Sequence, residues 1–342
     1  MTIYILLAIV LFAFSFTKKK WPLLISFILL FVVACFRDIS VGTDSKNYSG
    51  IFESYGDNIS DVYHVTEPLY LLLQFFVAIM GWDYNSLMFL TSAIVIVGIY
   101  TFALLESKRP NMVILCFYLL YYYFYAINTI RQYDAMVFIL LAWHFQRIKK
   151  YKLYFLFVGI AMCFHNTAII ALISLLFDKI KIRKNYMIVL MISTYFIGLF
   201  PIVQYIFVII GKFVNFSFLH YLIDTSFGIN FSPTRLLLTI FCSILLYLLR
   251  SKSIYFKLLT TGICMMNIFA FNPEAARIAQ YFTITQIVII SNIPVLTRVK
   301  KKAIYLSALS ILYMICVWSF LLFNNIAEVV PYSFGTFRIF GI

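Results

Sequence analysis

Residues 85–105 read NSLMFLTSAIVIVGIYTFALL, a stretch of 21 residues without a charged side chain. A transmembrane α-helix needs about 20 predominantly apolar residues, so this run is long enough to cross a bilayer. Comparable runs recur from end to end, and the chain is 63% hydrophobic and 12% charged with a mean hydropathy of +0.96. Soluble domains are about 25% charged. The composition excludes a soluble protein and predicts an all-α polytopic membrane protein, with residues 1–342 as a single integral membrane domain.

Basic residues form short clusters between the apolar runs. Six clusters hold 20 of the 27 lysines and arginines, and only Glu106 and Asp178 of the 13 acidic residues lie with them. The clusters are residues 18–20, 108–109, 147–152, 179–184, 250–257 and 298–302. Because cytoplasmic loops of membrane proteins are enriched in Lys and Arg, these clusters are predicted to be cytoplasmic. The net charge of +14 is ascribed to topology rather than to nucleic-acid binding.

This orientation predicts a set of spans and places both termini outside. The predicted spans are residues 2–17, 21–36, 85–105, 112–127, 132–146, 153–164, 166–177, 186–205, 235–249, 258–271, 278–293 and 303–323. The first run is followed rather than preceded by lysines, which favours a retained helix over a signal peptide. Because several runs fall short of a full span, we expect about 10–13 transmembrane helices.

Two runs do not fit a simple span. A full span at residues 68–80 would place the Lys108 cluster outside, so this run is predicted to be a re-entrant or interfacial helix. Residues 153–177 have basic residues at both ends, which two short helices turning at His165 and Asn166 would satisfy. Such a turn at membrane depth is tolerated where it is buried in protein or lines a wet cavity. His165 is therefore a functional candidate, and a packing histidine is the alternative.

One sizeable polar loop, residues 37–67, is predicted to be extracytoplasmic. It begins with RDISVGTD at residues 37–44, where Gly42 can form a turn that brings backbone amides close to a ligand. The alternative is a solvated loop in which Asp38 neutralises Arg37.

Two predicted external helix starts carry further polar groups. They are Asn128, Arg131, Gln132 and Asp134 in one case, and Asn272, Glu274, Arg277 and Tyr281 in the other. Arg131 with Asp134, and Glu274 with Arg277, share a helix face at i, i+3 spacing. In either place the arginine could simply be neutralised by a carboxylate on its own helix.

The type of basic residue differs between the two predicted sides. The cytoplasmic clusters contain 15 lysines and 5 arginines. The bases placed outside are Arg37, Arg131, Arg235, Arg277 and Arg338, with Lys46 and Lys212. Arginine presents a planar fork of donors that binds phosphate oxygens bidentately. The external arginines therefore predict a phosphate or pyrophosphate ligand at the outer face.

Other kinds of chemistry have no signature in the sequence. There is no HExxH, GxSxG, P-loop or dinucleotide-binding motif. The six cysteines lie within or at the edge of apolar runs without a CxxC, and His64 and His220 lack metal-ligand spacing. We expect no disulfide, metal or cofactor.

Several of these segments together resemble the EpsG family, which are Wzy-like polymerases of bacterial surface polysaccharides. The strings are FRDISVGTDSKNY at 36–48, EPLY at 67–70, NTIRQ at 128–132, FHNTA at 164–168, RIAQY at 277–281 and PY at 331–332. The resemblance covers most of the chain in order. One departure is Tyr133 and Asp134 after Gln132, where small residues are expected, so Asp134 is given no role.

The resemblance implies a multi-pass enzyme of the bacterial inner membrane, with a glycosyltransferase-C-like architecture and an active site on the extracytoplasmic side. Such enzymes join oligosaccharide repeat units in exopolysaccharide, capsule or O-antigen synthesis. They move the growing glycan from undecaprenyl pyrophosphate to the next lipid-linked unit. The implied partners are this lipid-linked oligosaccharide, the bilayer, and other polysaccharide-assembly membrane proteins such as a flippase or a chain-length regulator.

A glycosyl transfer needs a base for the acceptor hydroxyl and positive charge for the departing pyrophosphate. Asp44 is the predicted base, with Glu67 or Asp38 as alternatives. The predicted pyrophosphate clamp is Arg37, Arg131 and Arg277, and His165 is expected to hydrogen-bond the pyrophosphate or the sugar. Further substrate contacts are expected from Asp38, Gly42, Thr43, Tyr48, Glu67, Gln132, Arg235, Glu274 and Tyr281.

Three other functions remain open. A flippase or transporter of lipid-linked glycans would also use external arginines, but transport needs a site that both sides can reach. A ligase or acyltransferase acting on the same glycans is the second, and a buried histidine on the cytoplasmic side would favour an acyltransferase. His144 is the candidate there. A non-catalytic membrane scaffold is the third.

Overall fold

The computed structural model describes residues 1–17, 19–54, 67–211, 228–249, 253–297 and 299–335. Within these ranges every regular element is a helix, and Arg37 and Phe334 form an isolated bridge. The all-α prediction is confirmed for this part of the chain. Several residues considered above lie outside the described ranges, namely Lys18, residues 55–66 with His64, Lys212, His220, Arg298 and Arg338.

The helices follow one another in two groups. Up to the turn at His165 they are α1 (Thr2–Ser15), α2 (Lys20–Cys35), α3 (Ser45–Ser54), α4 (Pro68–Ile79), α5 (Tyr84–Glu106), α6 (Pro110–Leu119), α7 (Tyr122–Ala126), α8 (Ile130–Arg147) and α9 (Tyr151–Phe164). After it come a 3₁₀ helix (Asn166–Leu175), α10 (Leu176–Lys179), α11 (Lys184–Leu199), α12 (Ile202–Gly211), α13 (Pro233–Leu248), α14 (Ile254–Ile268), α15 (Pro273–Ile278), α16 (Gln280–Thr283), α17 (Gln286–Ser291), α18 (Ile293–Leu296) and α19 (Lys300–Phe323).

Two of the described helices, α5 and α19, are long and apolar enough to cross a membrane by length and composition. Eight shorter apolar helices of 10–17 residues accompany them, including α1, α2, α9 and α11. Helix α4 has the bounds expected for the run at residues 68–80, and α3 is a helix that the sequence analysis did not predict. The number of spans and the re-entrant placement of α4 stay predictions.

The chain divides into two compact units by its internal contacts. The first comprises Met1–Leu172, Ile290–Asn292 and Met314–Ile342, and the second comprises Ile173–Ile289 and Ile293–Tyr313. The organisation as one integral membrane domain stays a prediction.

Helix α8 lies at the centre of the first unit. It packs against α5, α7 and α9, and most of its side chains are buried, among them Tyr133 and Trp143. Gly98 of α5 permits a close approach, because a Cβ there would lie 2.5 Å from the Cβ of Val137 in α8. Arg131 lies in the first turn of α8, so buried contacts along the rest of this helix fix its position.

The turn at His165 is a true break between helices. His165 has an extended backbone, with φ −158° and ψ 120°, directly after α9. The 3₁₀ helix that follows buries Ala168, Ala171 and Ser174, a spacing that matches its three residues per turn. Tyr154 of α9 donates a hydrogen bond to the Ala171 carbonyl at 3.0 Å. The prediction of two short helices that turn at His165 and Asn166 is confirmed.

Three predicted spans are interrupted by breaks between helices, and their crossing of the membrane stays a prediction. Between α6 and α7, Tyr121 has a left-handed backbone with φ 71°, and its hydroxyl donates to the Leu321 carbonyl at 3.4 Å. Helix α11 ends at Leu199 ahead of Pro201, because the residue before a proline disfavours the helical conformation. The predicted span at residues 278–293 is divided among the short helices α15 to α18.

Three helices of the second unit meet around Asn267 of α14. Its side-chain amide donates to the Met191 carbonyl of α11 at 3.1 Å and reaches the Thr239 hydroxyl of α13 at 3.3 Å. Gly198 of α11 has no room for a side chain, because a Cβ there would collide with the Asn267 carbonyl. A polar contact and a close backbone approach therefore hold α11, α13 and α14 together.

Candidate functional site

The first part of the polar loop is fixed by a segment near the C-terminus. The backbone amide of Asp38 donates to the Ser333 carbonyl at 2.9 Å, and that of Gly42 donates to the Glu328 carbonyl at 3.0 Å. Arg37 and Phe334 form the bridge between the two segments. This loop start is therefore held in one conformation, in contrast to the solvated loop considered as an alternative.

Gly42 is required by both its backbone and its surroundings. Its φ of 106° lies in a region that other residues rarely adopt, and a Cβ would lie 2.5 Å from the side-chain oxygen of Asn128. The same oxygen accepts a hydrogen bond from the Thr43 hydroxyl at 3.2 Å. The Asn128 amide group donates to the Ala327 carbonyl at 3.1 Å. In this conformation Gly42 and Thr43 serve to anchor the loop, and their predicted substrate contacts stay predictions.

Arg37 does not present its guanidinium to the outside. Its side chain is 1% exposed and donates to the carbonyls of Ala34 and Ile127, the second at 2.9 Å. These carbonyls lie at the ends of α2 and α7, where helix dipoles favour a positive charge. Its Nε has no partner among the described residues, and Arg37 lines a cavity of about 10 Å³, room for about one water molecule. In this conformation Arg37 links two helices, and its role as a pyrophosphate ligand stays a prediction.

Asp38 does not pair with Arg37 either. Its carboxylate accepts a hydrogen bond from the Ser40 backbone amide at 2.9 Å. Hydrogen bonds from Ser40 lower the pKa of this carboxyl below its ordinary value. The alternative in which Asp38 neutralises Arg37 is wrong, because the carboxylate closes a local turn instead.

Glu67, Arg131 and His165 converge at one place in the first unit, and we call them the Glu67 cluster. Glu67 immediately precedes α4, Arg131 begins α8, and His165 follows α9. Arg131 Nη1 lies 2.5 Å from Glu67 Oε2, and His165 Nδ1 lies 2.5 Å from Glu67 Oε1. The Glu67 side chain is 6% exposed, against 31% for Arg131 and 24% for His165. A buried carboxylate therefore holds two more accessible groups.

Two tyrosine rings support the Arg131 guanidinium. Its central carbon lies 5.6 Å from the Tyr48 ring centre and 5.8 Å from the Tyr70 ring centre, and the two rings meet edge to face. Cation–π contacts of this kind orient a guanidinium without using its hydrogen-bond donors. Its Nη2 has no described partner and remains available to a ligand.

The electrostatics of the Glu67 cluster favour the charged carboxylate. Burial by itself would raise the pKa of Glu67, but the hydrogen bond from His165 and the charge of Arg131 outweigh it and lower the pKa below its ordinary value. Glu67 is therefore ionised at neutral pH, with both oxygens occupied.

Asp44 lies next to this cluster. It precedes α3, and its carbonyl accepts the hydrogen bond from the Tyr48 amide at 3.0 Å that begins the helix. Its carboxylate is half-buried, has no hydrogen-bond partner among the described residues, and lies within electrostatic range of Tyr48. The predicted base is therefore near Arg131, which contacts the same tyrosine.

Asp134 does not pair with Arg131 as its spacing predicted. Arg131 binds Glu67 instead, and Asp134 is fully buried with neither oxygen bonded within the described ranges. Gln74 and the Tyr70 hydroxyl are likewise buried without a described partner, and Asp134 lies within electrostatic range of Tyr70. Sequence reasoning missed Gln74 and Tyr70, although a glutamine inside an apolar run is a signal that could have found them. Gln132 is buried as well.

The remaining predicted residues belong to the second unit. Glu274 and Arg277 form the predicted i, i+3 ion pair at 3.0 Å, with side chains 60% and 39% exposed. Arg235 is buried, donates to the Asn230 carbonyl and lies 5.4 Å from the Tyr195 ring centre. Tyr281 is fully buried, and its predicted substrate contact stays a prediction. The convergence of Arg235, Arg277 and Arg338 with Arg131 stays a prediction.

A second histidine–carboxylate contact lies at the opposite end of α8. Glu106, at the end of α5, has its Oε1 2.5 Å from His144 Nδ1 and 2.9 Å from Arg147 Nη2. The predicted cytoplasmic basic cluster contains Arg147, so this contact is expected on the other side of the membrane from the Glu67 cluster.

One of three comparisons with known proteins found a match. No curated protein and no solved structure matches the chain. The EpsG family matches residues 20–334, which include every described residue of the Glu67 cluster, and indicates at a coarse level a polysaccharide-polymerase-like function in a membrane. Because the match covers nearly the whole chain, the protein belongs to the EpsG family.

Proposed function

We propose that the protein is a glycosyltransferase that polymerises lipid-linked oligosaccharide repeat units. It transfers the growing glycan from undecaprenyl pyrophosphate to the next lipid-linked unit at the extracytoplasmic face of the bacterial inner membrane. The observation that carries this proposal is the Glu67 cluster, in which an arginine whose Nη2 is bonded by no described residue lies beside an accessible histidine. Family membership supports the same class of reaction.

The departing pyrophosphate requires positive charge, which Arg131 supplies. No described residue bonds Nη2 of Arg131. The two tyrosine rings and Glu67 fix the direction of its guanidinium. A donor that is already oriented stabilises developing charge without reorganisation during the reaction.

The polysaccharide made by a deletion strain tests the reaction class. A strain that lacks the protein should accumulate single repeat units attached to lipid on the outer leaflet. A flippase would instead leave untranslocated units confined to the inner leaflet, which would contradict the proposal.

Substitution of Arg131 tests the site. We expect Arg131→Ala to lower the polymerisation rate on the order of 10²–10³-fold, because one oriented charge contact to the leaving group is lost. Arg183→Ala is the matched control, since Arg183 is an exposed arginine at the start of α11 in a predicted cytoplasmic cluster. Gel analysis of polymer length and amount in complemented strains measures both. Normal polymer from Arg131→Ala would contradict this role.

A membrane acyltransferase acting on the same glycans is the second candidate, because His144 contacts Glu106 at the predicted cytoplasmic end of α8. This function predicts that His144→Ala abolishes the product while Arg131→Ala leaves it intact. The polymerase predicts the reverse.

A further inference from the structure

His165 lies where its ring can contact a ligand. Its extended backbone turns the residue out of the helical path between α9 and the 3₁₀ helix. Nδ1 contacts Glu67 Oε1 at 2.5 Å, and no described residue bonds Nε2. The side chain is 24% exposed. Among the described residues, one ring nitrogen of His165 is therefore anchored and the other has no partner.

The Glu67 carboxylate decides which nitrogen of a neutral ring carries the proton. An ionised carboxylate only accepts hydrogen bonds, so Nδ1 of His165 must be the donor in this contact. In the neutral imidazole the lone pair then lies on Nε2, the open nitrogen. Arg131 occupies the other carboxylate oxygen and keeps Glu67 from turning away. The orientation and the tautomer thus come from one buried side chain.

The alternative bases are less well placed, with one exception. Glu67 has both oxygens bonded and its pKa is lowered, which makes it a weak base. Asp38 is bonded to Ser40, and its pKa is lowered by that contact. Asp44 is half-buried, no described residue bonds its carboxylate, and it is the remaining rival.

We propose that His165 is the general base of the transfer and that Glu67 is its positioning residue, an inference that rests on the proposed function. Nε2 of His165 takes the proton from the acceptor hydroxyl while the hydroxyl oxygen forms the new bond to the anomeric carbon. The bond from that carbon to the pyrophosphate oxygen breaks, and its electron pair leaves on the pyrophosphate, next to Arg131. The imidazolium is stabilised by Glu67 and then releases the proton to water.

The test uses the purified full-length protein in lipid with lipid-linked repeat units. We expect His165→Ala to lower kcat about 10²–10⁴-fold with little change in KM, because a general base acts in the transition state. Added imidazole should restore part of this rate. Substituted imidazoles should restore it in the order of their basicity, which a packing role would not produce.

Further variants separate folding from catalysis. His165→Asn keeps a donor in the position of Nδ1 for Glu67 but has no basic nitrogen, so it should fold like the wild type and be as slow as His165→Ala. Glu67→Gln should lower kcat, and imidazole should not rescue it because His165 is still present. Asp44→Asn should retain more activity than His165→Ala and should not respond to imidazole.

The outcomes distinguish this inference from the function on which it rests. An active wild type with near-normal rates for His165→Ala and His165→Asn overturns the base assignment alone. A larger loss in Asp44→Asn than in either His165 variant transfers the role to Asp44 and also overturns it. A folded wild type that makes no polymer from lipid-linked repeat units overturns the proposed function itself, and this inference with it.

Discussion

At the level of single residues, the two carboxylate oxygens of Glu67 bind different partners, and the proposed chemistry depends on both contacts. Oε2 pairs with the Arg131 guanidinium, and Oε1 contacts Nδ1 of His165. Breaking a largely buried ion pair by removing one partner leaves an uncompensated charge, so the three groups depend on one another. The use of lysine in the predicted cytoplasmic clusters and of arginine outside indicated Arg131 from the sequence alone. Glu67 as its partner could not be predicted, because the pairing depends on where α4 and α8 begin in space.

The backbone conformation of Gly42 leads to a prediction about the stability of the protein. Gly42→Ala should destabilise the protein by about 1–3 kcal/mol, because the new Cβ would be strained at positive φ and would meet Asn128. Unfolding midpoints of the purified protein in detergent measure the effect. Gly50→Ala is the control, since nothing lies within 4 Å of the added atom in α3 and alanine favours a helix. Equal midpoints for the two variants would contradict the anchoring role of Gly42.

The lowered pKa of Glu67 predicts a specific dependence of stability on pH. A carboxyl whose folded pKa is depressed contributes stability above its unfolded value of about 4.3, and this contribution is lost as the pH falls through the folded pKa. The unfolding midpoint of the wild type should therefore fall as the pH drops below about 4.3, and this fall should be smaller in Glu67→Gln.

Glu274→Gln is the control for the pH experiment. The Glu274 side chain is 60% exposed, so its pair with Arg277 contributes little to stability. It should keep the acid-induced fall of the wild type. If Glu67→Gln follows the same curve, the electrostatic account of the Glu67 cluster is wrong.

At the scale of helices, one break with a visible local cause was predicted and another was missed. Basic residues at both ends of residues 153–177 correctly indicated the turn at His165. Pro201 was an equally local signal for the end of α11 and was overlooked. The break at Tyr121 had no local signal, because its left-handed backbone is accompanied by a contact with Leu321, 200 positions away. Charge patterns therefore locate helix ends better than they locate interruptions held by distant contacts.

A substitution in the 3₁₀ helix tests whether this helix positions His165. Ala168 is fully buried, and its amide donates to the His165 carbonyl at 3.0 Å. Ala168→Leu should destabilise the first unit by about 1–3 kcal/mol through overpacking, and should lower polymer yield because His165 would shift. Ile169→Leu is the control, since Ile169 is 51% exposed. An unchanged midpoint and yield for Ala168→Leu would show that this segment does not position His165.

Across the whole molecule, composition and charge established the class of protein before any contact was known. An apolar chain with clustered bases requires a membrane, and the described helices and the family agree with that requirement. The arrangement into two units had no counterpart in the sequence pattern, because apolar runs look alike whichever unit they join. The side of the membrane on which the Glu67 cluster lies rests on the distribution of charges alone.

Labelling of single cysteines tests that side directly. In a variant without the six native cysteines, Lys46→Cys should react with a membrane-impermeant maleimide in intact spheroplasts, because Lys46 is exposed on α3 close to the Glu67 cluster. Lys150→Cys, exposed in a predicted cytoplasmic cluster of the same unit, should react only after the membrane is permeabilised. The physical reason is that a lysine-rich loop is retained on the cytoplasmic side during insertion. The opposite pattern would place the Glu67 cluster inside the cell, where lipid-linked units that have crossed the membrane could not reach it.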